Sequence, residues 1–134
     1  MAVIFYFSSR TADNSAKQSG GILEFLIKLF GDNFFTDFIV RKSAHFLEFT
    51  GLCLLLSAAY YYTRDKLSPV LSVMTSALWA VTDEVHQIFV EGRSCELRDW
   101  FIDLAGSLLG AFAFWIIYVI IRRLKAKDKK RNNK

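Results

Sequence analysis

Residues 49–63, 67–82 and 104–121 run for 15, 16 and 18 positions without an Asp, Glu, Lys or Arg. A helix rises about 1.5 Å per residue, so about 20 residues cross a 30 Å hydrocarbon layer and the first two runs are short alone. Each can be lengthened in one direction. The first grows backward through Glu48 and His45, because Arg64, Asp65 and Lys66 close its far end. The second grows forward through Asp83, Glu84, His86 and Gln87 to Val90, with Ser68-Pro69 as cap and first-turn residue. The third grows backward through Asp103 to Trp100. With these extensions all three reach membrane length, and residues 104–121 show no polar face at the spacing a soluble bundle needs. The run is interrupted by Gly106, Ser107 and Gly110, and its two glycines form a small-xxx-small pair that would admit a second helix at close range.

The remainder is shorter and more polar. Residues 1–7 are apolar, too short to span and without a basic leader region. Residues 8–21 read as a polar loop. Ile22, Phe25, Leu26 and Leu29 share a helical face, so residues 22–40 are expected as one or two short helices lying at a membrane interface or folding back into it. The expected fold is all-α: an integral membrane helical bundle of three transmembrane helices, with a truncated N-terminal span, short interfacial helices and no separate soluble domain.

Composition and charge sharpen this outline. The 134 residues are 53% hydrophobic, with 13 Phe and a single Pro, and the mean hydropathy is +0.27. The aromatic content excludes disorder, and two Cys are too few for a disulfide scaffold. Of the 17 Lys and Arg, 8 lie in residues 122–134 beside one acid, Asp128. That segment is +7 and the rest of the chain is −3, which is not the charge distribution of a nucleic-acid-binding domain. The division is therefore a membrane domain, 1–121, and a basic tail, 122–134. Basic residues near a membrane span favour the cytoplasmic side, so the C-terminus is expected inside, although Arg41 and Lys42 run against the rule. Membrane lipid is the one partner the chain requires, and the tail is expected to stay solvated or touch anionic headgroups.

The directions of the three extensions place their polar residues together. In an antiparallel arrangement, His45 and Glu48 at the start of one helix, Asp83 to Gln87 at the end of the next, and Asp99 and Asp103 at the start of the last all fall at one leaflet. His45 and Glu48 are spaced i, i+3; Asp83, His86 and Gln87 i, i+3, i+4; Asp99, Asp103, Gly106 and Gly110 form one stripe. A charge within the bilayer costs at least about 2.5–3.5 kcal/mol on insertion scales, so several in one layer should pair, bind something or face water. Bland explanations exist for each. His45 and Glu48 could share one interhelical hydrogen bond, Asp103 could cap its helix, and Arg93 could be a loop cation.

At these residues the chain resembles the VanZ-like family of small bacterial membrane proteins. Ile4-Phe5-Tyr6-Phe7-Ser8-Ser9 is similar to the segment at the exit of that family's first span. Arg41-Lys42-Ser43-Ala44-His45-Phe46-Leu47-Glu48-Phe49 resembles its Lys-x-x-His block, with Phe49 where Tyr is frequent. The stretch from Thr82 to Arg93, containing Asp83-Glu84-Val85-His86-Gln87 and Gly92-Arg93, is similar to its most specific signature. Asp99, Asp103, Gly106 and Gly110 resemble the block that follows, with Asp103 where Asn is common. Six residues precede Phe7 where the family usually carries a whole span. The resemblance implies a multi-pass membrane protein whose namesake is linked to low-level resistance to the glycopeptide teicoplanin. It implies no reaction.

Two functions from different classes fit these residues. In the first, the polar layer binds a cell-wall precursor, a glycopeptide or another lipid-linked ligand, through Lys42, Glu48, Gln87, Arg93, Asp99 and Asp103. In the second, Asp83 or Glu84 acts as general base and His86 or His45 as its acid partner on such a substrate, while Arg93 and Lys42 hold a phosphate or carboxylate. No cofactor is required; a divalent metal held by His45, Glu48, Asp83 and His86 is conceivable. Transport is weaker, since three spans form a pathway only if the protein is a homo-oligomer. Cys53 reads as an apolar packing residue, and Cys95 has no activating neighbour.

Overall fold

The computed structural model describes residue 9 and residues 12–30, 36–90 and 97–132. They form four helices: α1, Ala12–Phe30; α2, Asp37–Arg64; α3, Pro69–Gln87; and α4, Leu97–Asn132. There is no strand among the described residues. The segments 1–8 and 91–96, which hold part of the first resemblance block, the Gly92-Arg93 pair and Cys95, lie outside them.

The helix ends follow local chemistry. Thr36 precedes α2 with extended backbone, and its hydroxyl accepts the Ile39 N–H at 3.3 Å. At the other end Asp65 adopts φ 51° and donates its N–H to the Tyr61 carbonyl at 2.9 Å, which stops the helix where Arg64, Asp65 and Lys66 were expected to stop it. Pro69 opens α3 as anticipated. Ser68, however, does not cap with its hydroxyl; its carbonyl instead accepts both the Ser72 N–H and the Ser72 hydroxyl, each at 3.1 Å. The α3 helix ends at Gln87, with Phe89 and Val90 in a turn bonded back to His86 and Gln87.

Several expectations near the chain ends are corrected. Residues 12–21 are helical, not a loop, because extending a helix costs far less than starting one and the apolar half of α1 supplies the start. The face of α1 also differs: Ser19 is buried and Leu23, Leu26 and Ile27 are half-buried, while Ile22, Phe25 and Leu29 point outward. Residues 22–40 are accordingly not one or two short helices of their own but parts of two longer ones. Residues up to Phe30 finish α1, and Phe38 to Val40 belong to the first turn of α2. Residues 122–132 are likewise the helical end of α4, exposed throughout.

Helices α2 and α4 are the central pair, with α3 against both and α1 against α2. A Cβ at Gly106 would collide with the Phe46 carbonyl and lie 3.2 Å from the Thr50 hydroxyl; one at Gly110 would collide with the Thr50 carbonyl. The small-xxx-small pair is thus the seam along which α4 meets the backbone of α2. Between α3 and α4, the Ser76 and Ser107 hydroxyls lie 2.7 Å apart, and Ser107 donates to the Asp103 carbonyl at 2.9 Å. Since Ser107 has one proton and gives it to that carbonyl, Ser76 is the donor between the two hydroxyls. Trp100 Nε1 reaches the Ala77 carbonyl at 3.3 Å, and Tyr60 pairs with Thr75 at 3.0 Å across α2 and α3.

Burial runs opposite to that of a soluble protein. Ser72, Ser76, Ser107, Asp83, Glu84, Gln87, Asp99 and Asp103 are buried, whereas Leu47, Leu55, Val70, Met74, Leu78, Leu108, Phe112 and Trp115 are exposed. By length and composition α2 and α4 can each cross a membrane, and only 22% of each apolar window is buried, so neither is the core helix of a water-soluble bundle. The third expected span, α3, does not reach the same apolar standard.

Candidate functional site

The polar layer is assembled by helical spacing on three elements. On α2, Lys42, His45 and Glu48 follow one another at i+3 and are all half-buried. The last turn of α3 turns Asp83, Glu84 and Gln87 inward, at 2%, 4% and 4% exposure, with His86 half-buried beside them. The first turns of α4 contribute Asp99 and Asp103, the latter 1% exposed. Gly106, one turn further along, admits the α2 backbone at Phe46, next to His45, and so fixes the distance between the two helices at this level.

Three contacts tie the layer together. Lys42 Nζ forms an ion pair with Asp99 Oδ2. His45 Nδ1 faces Asp103 Oδ1 at 4.0 Å, longer than a hydrogen bond. Gln87 Nε2 donates to Asp83 Oδ2 at 3.1 Å, one helical turn back. Asp103 is the hub, for it lies within electrostatic reach of Glu84, Asp83, Asp99 and Glu48. Neither of its carboxylate oxygens accepts a hydrogen bond from a described residue, and the same holds for Asp83 Oδ1.

The printed contacts bring Lys42, His45, Glu48, Asp83, Glu84, Gln87, Asp99 and Asp103 together, while His86 is half-buried in the last turn of α3 and Arg93 falls outside the described residues. The alternative that Asp103 merely caps its helix does not account for its place at the centre of the acids. Among the described residues no group of three or more His, Cys, Asp or Glu is arranged to hold a metal ion. Cys53 is fully buried on α2.

Sequence reasoning did not nominate Arg98. Its guanidinium lies 4.7 Å from the centre of the Phe38 ring, over which Lys42 Nζ also sits at 5.3 Å. Two cations on one aromatic ring, the inner one paired with Asp99, make a basic rim above the acidic hub. The available signal was the position of Arg98 immediately before Asp99 at the start of a span. Ser76 and Ser107 were passed over too, although Ser76 lies two turns before Asp83 on the same face and Ser107 one turn beyond Asp103.

The VanZ/LLP1 family matches residues 1–120, and the chain belongs to that family. No curated protein and no solved structure matches it. Two long apolar helices, their outward-facing apolar side chains and the family together indicate a membrane protein.

Proposed function

We propose that the chain crosses the membrane three times, through α2, α3 and α4, and presents the layer from Lys42 to Asp103 at the outer leaflet as a binding site for an anionic, lipid-linked or cell-envelope ligand. The polarity of α3 is compatible with a span because it is one-sided. Val70, Met74, Leu78, Val81 and Val85 face outward while Ser72, Ser76, Ala80, Asp83 and Glu84 face in, and its 19 residues measure about 28 Å. The basic end of α4 then lies in the cytoplasm. A low-level effect on teicoplanin susceptibility would follow if the ligand were a cell-wall precursor or the glycopeptide itself.

One observation carries this reading: charged side chains from three helices are buried at one end of an otherwise apolar bundle, under a rim formed by Lys42 and Arg98. Burying so many ionisable groups in one layer is costly, and such groups within a membrane mark functional sites. The rim supplies a guanidinium and an ammonium suited to phosphate or carboxylate oxygens.

Expression in a glycopeptide-susceptible bacterium should raise the teicoplanin concentration that arrests growth. Arg98→Ala, which removes an exposed side chain, should abolish most of that rise at equal membrane abundance. Unchanged resistance in this variant would count against the site. A catalytic reading is favoured by the His45–Asp103 couple, since an imidazole beside a carboxylate can move a proton. Glu84→Gln separates the two. Loss of the phenotype with ligand retention means catalysis, and full phenotype alongside loss in Arg98→Ala means binding.

A further inference from the structure

Helices α2 and α4 run parallel. Gly106 meets Phe46 and Gly110 meets Thr50; further along, the Tyr61 ring lies 6.2 Å from Phe114 and 5.3 Å from Tyr118. At the end opposite the acids each helix then carries an arginine one turn past its tyrosine, Arg64 on α2 and Arg122 on α4. Helical spacing puts Arg64 on the face that holds Tyr61, and Arg122 on the face that holds Tyr118. Both side chains are exposed, and each is steadied by a ring. The Arg64 guanidinium lies 5.7 Å from the centre of Tyr60, while that of Arg122 lies 5.6 Å from the centre of Tyr118 and donates to its hydroxyl at 3.0 Å. Neither is paired with a carboxylate of a described residue, so most of the five donors on each fork are unused. Within residues 64–66 and 122–125 five cations accompany one acid, Asp65.

Nearer the membrane centre the surface turns apolar. About 10 Å back along α4 from Arg122, an open cleft of about 230 Å³ is lined chiefly by Leu67, Pro69, Phe114 and Trp115. We infer that this end of the bundle holds one anionic phospholipid, its phosphodiester taken by Arg64 and Arg122 and an acyl chain lying along the Leu67 to Trp115 cleft. A guanidinium fork matches phosphate oxygens, and the cleft begins at the depth where the chains of such a lipid begin. A zwitterionic lipid offers the same phosphate but brings an ammonium into a strongly basic surround, so a net negative headgroup is preferred. The tail beyond Arg123 differs in kind: residues 124–132 are exposed throughout, and their attraction to the surface is diffuse. The inference is independent of the ligand proposed for the opposite end and needs only α2 and α4 as spans.

The test unfolds the full chain thermally in phosphatidylcholine nanodiscs to which phosphatidylglycerol is added in steps. Phosphatidylglycerol should raise the unfolding temperature and saturate. Arg64→Gln and Arg122→Gln, both at exposed positions, should each demand roughly tenfold more of it for half of that rise, the loss of one charge-assisted contact. Neutralising Lys129, Lys130 and Arg131 together as Gln should leave the midpoint where it was, and so should Arg98→Ala at the other end. A midpoint unmoved by both arginine variants, or moved as far by the tail substitutions, overturns the site in favour of diffuse attraction to the tail. Loss of the rise in Arg98→Ala overturns it by placing the lipid at the opposite end. Soluble glycerol 3-phosphate that stabilises as well as the lipid overturns the lipid reading, and no rise with phosphatidylglycerol overturns the site outright. Failure of the teicoplanin phenotype leaves all of these outcomes unchanged.

Discussion

The two ends of the bundle are built from the same helices by opposite means. At the site end, α2 and α4 meet backbone to backbone through Gly106, and carboxylates, serines and an ion pair are buried beside an apolar cluster of Phe49, Ala80 and Trp100. At the far end the interior is aromatic: Tyr61 packs edge-on to Tyr118 with ring centres 5.3 Å apart and lies 6.2 Å from Phe114. There Arg64 sits over the Tyr60 ring, and Arg122 donates to the Tyr118 hydroxyl at 3.0 Å, a belt of rings and cations typical of a membrane interface. The site end holds its acids beside apolar packing and a close helix approach. The far end is held by ring contacts.

The largest effect expected from breaking this contrast is at the seam. Gly106→Leu would force α4 away from the Phe46 carbonyl and should cost about 3 kcal/mol, read by detergent unfolding of the purified protein. It should also abolish the phenotype, because Asp103 and His45 would separate. An intermediate effect is expected at the other end. Tyr61→Ala removes the ring contacts from α2 to Phe114 and Tyr118 on α4 and should lower stability by about 2 kcal/mol, visible as an earlier thermal transition, while ligand response per folded molecule stays at the wild-type level. Were the response lost as well, the two ends would not be independent. The smallest effect is on the glue between α3 and α4: Ser76→Ala should cost about 0.6 kcal/mol, the mean for a hydrogen bond between membrane helices, measurable against wild type in a competition unfolding assay.

Much of the architecture was legible in residue order. The ends of the charge-free runs located α2, α3 and α4, since a charge in lipid is costly wherever it occurs, and the direction in which each run lengthens put His45, Asp83 and Asp103 at one end. The spacing of Asp99, Asp103, Gly106 and Gly110 gave one stripe, and all four are buried. Other features were not legible. The helical content of residues 12–21 depends on propagation from the apolar half of α1, and the inward face of α1 depends on contact with α2. Arg98 was missed because its importance comes from the Phe38 ring, 60 positions earlier in the chain.

Sequence alone determined that this is an all-helical chain whose apolar runs are interrupted by acids and histidines at matching ends, because helical rise and the cost of charge in hydrocarbon act locally and leave their mark on residue order. Tertiary structure decided which of those polar groups stands at the centre. Asp103 is the hub, Lys42 belongs to Asp99 and Arg98 forms the rim only because two glycines let α4 approach the α2 backbone closely enough to bring residues 57 positions apart into contact. Such pairings depend on the distance and rotation between helices, which spacing along a single chain does not encode.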